Sequence, residues 1–205
     1  IVERYLNAVK YLGVENDGVG LEYYIPTKDE VDVNTLPSNF KSGYVSFAIG
    51  AQHATKCLPE HKIISICKQL QHPVVLLGGK EDAEKASRIV SAVGDTVFNA
   101  CGGFNLNQSA SILKQSKVLI THDTGLMHIG AALNVKIVSV WGNTIPEFGM
   151  YPYYPKQPNK FVMVENKNLS CRPCSKIGYD KCPKKHFKCM EDIAVSKVVK
   201  PTLQN

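Results

Sequence analysis

The sequence has no run of about eighteen or more apolar residues, which excludes a membrane-spanning helix. No secretory leader is expected, since the opening IVERYLNAVKYLG is amphipathic rather than apolar. The first residue is not methionine, so the chain is expected to be a fragment or processed product, the C-terminal half of something larger. Seven cysteines are an odd number, and without a leader they argue against an extracellular disulfide scaffold and for a reducing compartment. Neither G-x-G-x-x-G nor G-x-x-x-x-G-K-[ST] occurs, so the usual dinucleotide fingerprint and the nucleoside-triphosphate loop are both missing. Internal repeats and low-complexity tracts are absent as well.

What remains is a globular composition, 44% hydrophobic and 20% charged over 205 residues, enough for one domain or at most two small ones. The net charge of +6 is uneven. Residues 1–150 hold 13 Lys/Arg against 14 Asp/Glu, whereas residues 151–205 hold 11 against 4. The basic tail suits an anionic partner surface, and equally a solvated lysine-rich end.

The apolar pattern predicts a helix over 1–12, with Val2, Tyr5, Leu6, Val9 and Leu12 on one face. Residues 13–43, with Pro26 and Pro37, read as linker or irregular surface, so 1–43 is taken as an N-terminal helix and interdomain linker, with the main domain over 44–205. From there β-rich runs alternate with helical ones. Strands are predicted at 44–50, 73–79, 96–100, 117–123 and 136–142, and helices at 59–70, 80–93, 106–115 and 124–134. A short strand at 160–164, a cysteine-rich basic segment over 170–190 and a helix near 190–200 follow. Continuous apolar strands alternating with helices predict an α/β fold, a doubly wound parallel sheet.

In such a sheet ligands bind beyond the carboxyl ends of the strands. The most specific of the strand-end turns is HDTGLMH. Asp123 and Thr124 stand at a helix start, where free N–H groups attract anions. Gly125 admits a ligand close to the backbone, and His128 follows one turn on. Single residues of this kind are ordinary helix caps or packed histidines; their convergence at one strand end is what points to a site. Lys56, after the first strand, can neutralise a diphosphate, though a lone lysine is by default solvated. Glu81, after Gly78-Gly79, can accept from ribose hydroxyls or simply favour a helix first turn.

GAQHATKCLPE, LLGGKEDAE and ITHDTGLMHIGAALNVKIVSVWGNTIPEFGMYPY together resemble the C-terminal half of the bacterial heptosyltransferases, glycosyltransferase family 9, over roughly residues 44–200. The resemblance implies one Rossmann-like half of a GT-B enzyme of lipopolysaccharide core assembly, binding a nucleotide-sugar donor, usually ADP-heptose. It assigns Lys56 to the donor phosphates, Glu81 to the ribose and Phe104 to the adenine. It assigns Asp123 to the sugar hydroxyls, Thr124 and Gly125 to the diphosphate, and His128 to support of that loop. It further implies inverting transfer to a glycolipid acceptor, with acceptor site and general base on the N-terminal half and no catalytic residue in this one. No cofactor or nucleic acid is then needed. The location it implies is cytoplasmic, with peripheral contact at an anionic inner membrane.

The segment CRPCSKIGYDKCPKKHFKCM has the spacing C-x2-C-x7-C-x6-C. Cys171, Cys174, Cys182 and Cys189 are expected either as a closed, structural zinc site or as packed or labile thiols. Arg172, Lys176, Lys181, Lys184, Lys185 and Lys188 interleave with Tyr179 and Phe187, a pattern shared by nucleic-acid modules and lipid-facing surfaces. The rivals are therefore a nucleotide-sugar epimerase of GT-B-like fold and a zinc-dependent nucleic-acid-binding module.

Overall fold

The computed structural model describes residues 1–204. Six strands form one sheet: β1 (Val45–Ala48), β2 (Val74–Leu77), β3 (Val97–Asn99), β4 (Val118–His122), β5 (Lys136–Trp141) and β6 (Phe161–Glu165). Every pairing is parallel and the order is β3-β2-β1-β4-β5-β6. That is the dinucleotide-fold order, with its topological switch between β1 and β4. All residues of β1, β2 and β4 are buried, as near-continuous apolar runs require when helices cover both faces.

The helices between strands are α2 (Glu60–Leu70), α3 (Ala83–Val93), α4 (Leu106–Lys114) and α5 (Gly125–Ala132). Ile63, Ile66, Cys67 and Leu70 form the buried stripe of α2, and Ala86 and Ile89 that of α3. These pack with Phe47, Leu76 and Ile120 on one face of the sheet. Ala48, Val75, Leu77, Ile112, Leu113, Met127 and Trp141 fill the other. Helix α2 stops where Gln71 turns left-handed, and α3 at Gly94, whose φ of 105° is one that only glycine adopts freely. A short 3-10 turn, Lys80–Asp82, precedes α3, so the helix expected from residue 80 starts three residues late.

Three expectations at the ends of the chain are corrected. Helix α1 is only Val2–Ala8, followed by a 3-10 turn at Lys10–Leu12, and none of its residues is buried. Tyr5 and Leu12, expected on a packed face, are exposed. Residues 29–40 are no free linker. Leu36 and Phe40 are buried in the core, and the carboxylate of Asp29 accepts from Asn105 and Asn107 at 2.9 Å each. The helix expected near 190–200 is two, α6 (Lys188–Glu191) and α7 (Val195–Leu203), the second packed on α2 and the sheet. Prolines and polar residues hid the second of these from a pattern search, because only isolated apolar anchors, Leu36 and Phe40, carry the packing.

Candidate functional site

The turns after β1, β2, β3 and β4 surround a cavity of about 360 Å³ at the carboxyl edge of the sheet. Glu81, Phe104, Thr124 and Gly125, all picked out from the sequence, line it, with Gly50, Gly78, Gly79, Asp82 and Ser109. A Cβ on Gly125 would meet nothing within 4 Å, so the first turn of α5 opens onto free space. A larger groove, about 820 Å³, runs along the edge strand β6 and α7 and touches none of these turns.

Lys56 and Asp123 do not line the cavity but sit together. Their Nζ and Oδ2 are 2.7 Å apart, with the carboxylate side chain 8% exposed and the lysine 15%. Thr144 Oγ1 donates to the same carboxylate oxygen at 3.0 Å. The loop carrying Lys56 is pinned from two sides. Leu58 N–H donates to His122 Nε2 at 2.9 Å, and Thr55 exchanges hydrogen bonds with the main chain of Tyr179. Because Nε2 accepts, the neutral ring carries its proton on Nδ1. Burial, and secondarily the charge of Lys85, pushes the His122 pKa down to about 3.

His128 is apart from the cavity. It borders a small hollow against Ile1, Val2 and Gly149, and burial lowers its pKa. Two further residues escaped the sequence reading. Asp82 accepts from Gly79 N–H at 3.0 Å, fixing the turn after β2, and burial raises its pKa. A Cβ on Gly50 would collide with that carboxylate, so the glycine is what lets the β1 and β2 turns approach. Asn143 is 1% exposed beyond β5, and neither side-chain atom has a partner. A polar residue in a Gly-rich turn gives no sequence signal of that burial.

The expectation for the cysteine segment is a closed zinc site or packed or labile thiols. Among the described residues no group of three or more His, Cys, Asp or Glu side chains is arranged to hold a metal ion. Cys171 Sγ faces His186 Nε2 at 3.9 Å, Cys174 Sγ is turned to the Cys171 carbonyl, and Cys189 is buried in the core, where burial raises its pKa to about 11. The four thiols thus do not form a tetrahedral set here. Arg172, read as part of a basic surface, is instead buried, its side chain 4% exposed. It donates to the carbonyls of Gly142, Thr144 and Asn166 and pairs with Glu165 at 3.0 Å. Lys176, Lys181, Lys184, Lys185 and Lys188 are exposed.

Comparison with known proteins settles the lineage of this arrangement. The family profile described as "Glycosyltransferase family 9 (heptosyltransferase)" matches residues 1–183. The chain belongs to glycosyltransferase family 9. The match takes in residues 1–43, beyond the stretch in which the resemblance was noticed. This family 9 chain is 31% identical over 112 residues to lipopolysaccharide heptosyltransferase 2 of Escherichia coli K12, covering 51% of this chain and 32% of that protein. It superposes on the crystal structure of a family 9 glycosyltransferase from Veillonella parvula with a TM-score of 0.74, at 23% identity, over 97% of this chain and 57% of that one. The E. coli heptosyltransferase WaaC with ADP matches 63% of this chain and 39% of its own length, with TM-score 0.53 and 25% identity. The chain therefore spans well under two thirds of the relatives it matches.

Proposed function

We propose that this chain is the nucleotide-sugar-binding half of an inverting glycosyltransferase that moves heptose, or a related sugar, from an ADP-sugar to a glycolipid acceptor of the lipopolysaccharide core. The observation that carries this reading is the cavity joining Glu81, Phe104, Thr124 and Gly125, with the Lys56–Asp123 pair beside it. Phe104 offers an apolar face for a base, and Glu81 an acceptor for ribose hydroxyls. The open start of α5 offers N–H groups to a diphosphate. In the reaction an acceptor oxygen attacks the anomeric carbon, and the bond from that carbon to the diphosphate oxygen breaks. Lys56 and the α5 N-terminus take up the charge that develops on the leaving group. The acceptor's proton passes to a base outside this half. No cofactor enters the chemistry, and the exposed lysines of 176–188 face the anionic surface that carries the acceptor.

Lys56 meets the donor only by leaving Asp123, so the pair is a stored position for the lysine rather than a bystander. Calorimetric titration of the chain with ADP and UDP tests the reading. The expected result is ADP binding in the micromolar to millimolar range, tighter than UDP, and weakened at least about tenfold in Lys56→Ala. Preference for UDP would favour a different donor or the epimerase. Absence of ADP binding would remove the donor-half reading.

A further inference from the structure

Five buried side-chain polar atoms lack a partner among the described residues; His122 Nδ1 lies on the chain before Asp123, and three others belong to Thr124, which follows it, and to Asn143, the neighbour of the Thr144 that bonds it. These three are Thr124 Oγ1 and both the Nδ2 and Oδ1 of Asn143. A buried, unpaired polar group costs about 1–3 kcal/mol, so two such residues at adjacent strand ends need a reason. The main chain around Asn143 makes the contrast sharper. Arg172 donates to the carbonyls of Gly142 and Thr144, and Cys174 N–H donates to that of Asn143 at 3.1 Å. A Cβ on Gly142 would lie 2.7 Å from the Thr55 carbonyl, next to Lys56. Thr144 in turn is bonded to Asp123. The backbone of residue 143 is thus fixed on every side, between the lysine's turn and the aspartate, while its carboxamide is left empty-handed.

We propose that Asn143 is a specificity-determining residue for the sugar of the donor. This rests on the donor-binding reading above. A carboxamide offers two donors and an acceptor, which matches neighbouring hydroxyls on a polyol; a diphosphate, having acceptors only, would use Nδ2 and leave Oδ1 unpaired. The ligand reaches it when Lys56 swings from Asp123 to the phosphates, since that side chain is long and more exposed than the carboxylate it leaves, 15% against 8%. Asp123, released from the ion pair, then shares the sugar with Asn143.

The test compares ADP with ADP-heptose on the wild-type chain and on Asn143→Ala, with Asn143→Ser as a second variant should alanine impair folding. Wild type is expected to bind ADP-heptose more tightly than ADP. In both variants ADP affinity should stay within about twofold, while ADP-heptose weakens about tenfold, ~1.4 kcal/mol. Thermal stability should be equal or higher, because the unpaired atoms are gone. An unchanged advantage of ADP-heptose over ADP in the variants overturns the assignment and leaves the donor site standing. Equal losses for both ligands, no advantage in wild type, or a variant several degrees less stable also overturn it, the last because it reveals a structural partner. Failure of wild type to bind ADP at all takes the donor-half reading with it.

Discussion

The strand ends and the cysteine segment are built on opposite terms. The segment over 166–187 contains no helix or strand, yet it is anchored by side chains with full sets of partners. Arg172 alone reaches five acceptors on four residues of β5, its following turn and Asn166, and on Glu165. The turns beyond β4 and β5 hold Asp123, Thr124 and Asn143 on a regular sheet, and leave polar atoms of the last two unpaired. Irregular backbone here is the rigid part, and the ends of regular elements are the part held ready for something else. The anchor and the ready groups touch, since Arg172 fixes the very carbonyls on either side of Asn143. Stability in one region thus supports unsatisfied polarity in the other.

The largest expected effect breaks that link. Arg172→Ala leaves the Glu165 carboxylate, 6% exposed, without its buried partner, and should cost about 3–5 kcal/mol in denaturant unfolding. Lys167 contacts the same carboxylate at 3.4 Å but is 73% exposed, so Lys167→Ala should change stability by less than about 0.5 kcal/mol. Similar costs for the two would mean that the segment is not held by its buried arginine.

Acid should reach the strand ends next. His122 is neutral in the folded chain, its pKa pushed by burial from 6.5 to about 3. A depressed histidine pKa contributes stability that is whole above the unfolded value and lost as pH falls from there toward the folded one. Stability should therefore drop by roughly 1.4 kcal/mol per pH unit below about pH 6, from this group alone. His128 moves in the same direction. His122→Gln should flatten the slope between pH 6 and 4 in unfolding titrations; an unchanged slope would assign the acid sensitivity elsewhere.

Much of this was legible before any coordinates. Each strand was found within two residues at either end, because parallel strands buried on both faces are unbroken apolar runs such as VVLL and VLIT. Glu81, Thr124 and Gly125 of the cavity wall follow from the Gly-rich and Asp-Thr-Gly turns after those runs, since strand ends are where a doubly wound sheet brings distant turns together. Phe104 follows from the family resemblance alone. The rest turned on partners rather than patterns. Arg172 looks like its lysine neighbours until its acceptors are seen, and Asp29 and Phe40 sit in a stretch with no period to read. Asn143 carries no mark in sequence, since what distinguishes it is a partner it does not have.

The smallest effect sharpens the comparison at two helix starts. Asn105 caps α4 in full: its side chain accepts from Gln108 N–H at 2.8 Å, and Gln108 Oε1 accepts from Asn105 N–H at 2.9 Å. Asn105→Ala should cost about 1 kcal/mol or somewhat more, as it also releases Asp29. Thr124 occupies the corresponding position on α5, with extended backbone, but makes no side-chain cap bond. Thr124→Ala should therefore cost less than about 0.5 kcal/mol, where a working threonine cap would cost more. On the donor-binding proposal its effect should fall instead on ligand binding, with weaker ADP affinity at nearly unchanged stability. A loss of about 1 kcal/mol in the empty chain would show that the hydroxyl already serves the helix, and that α5 begins like α4 after all.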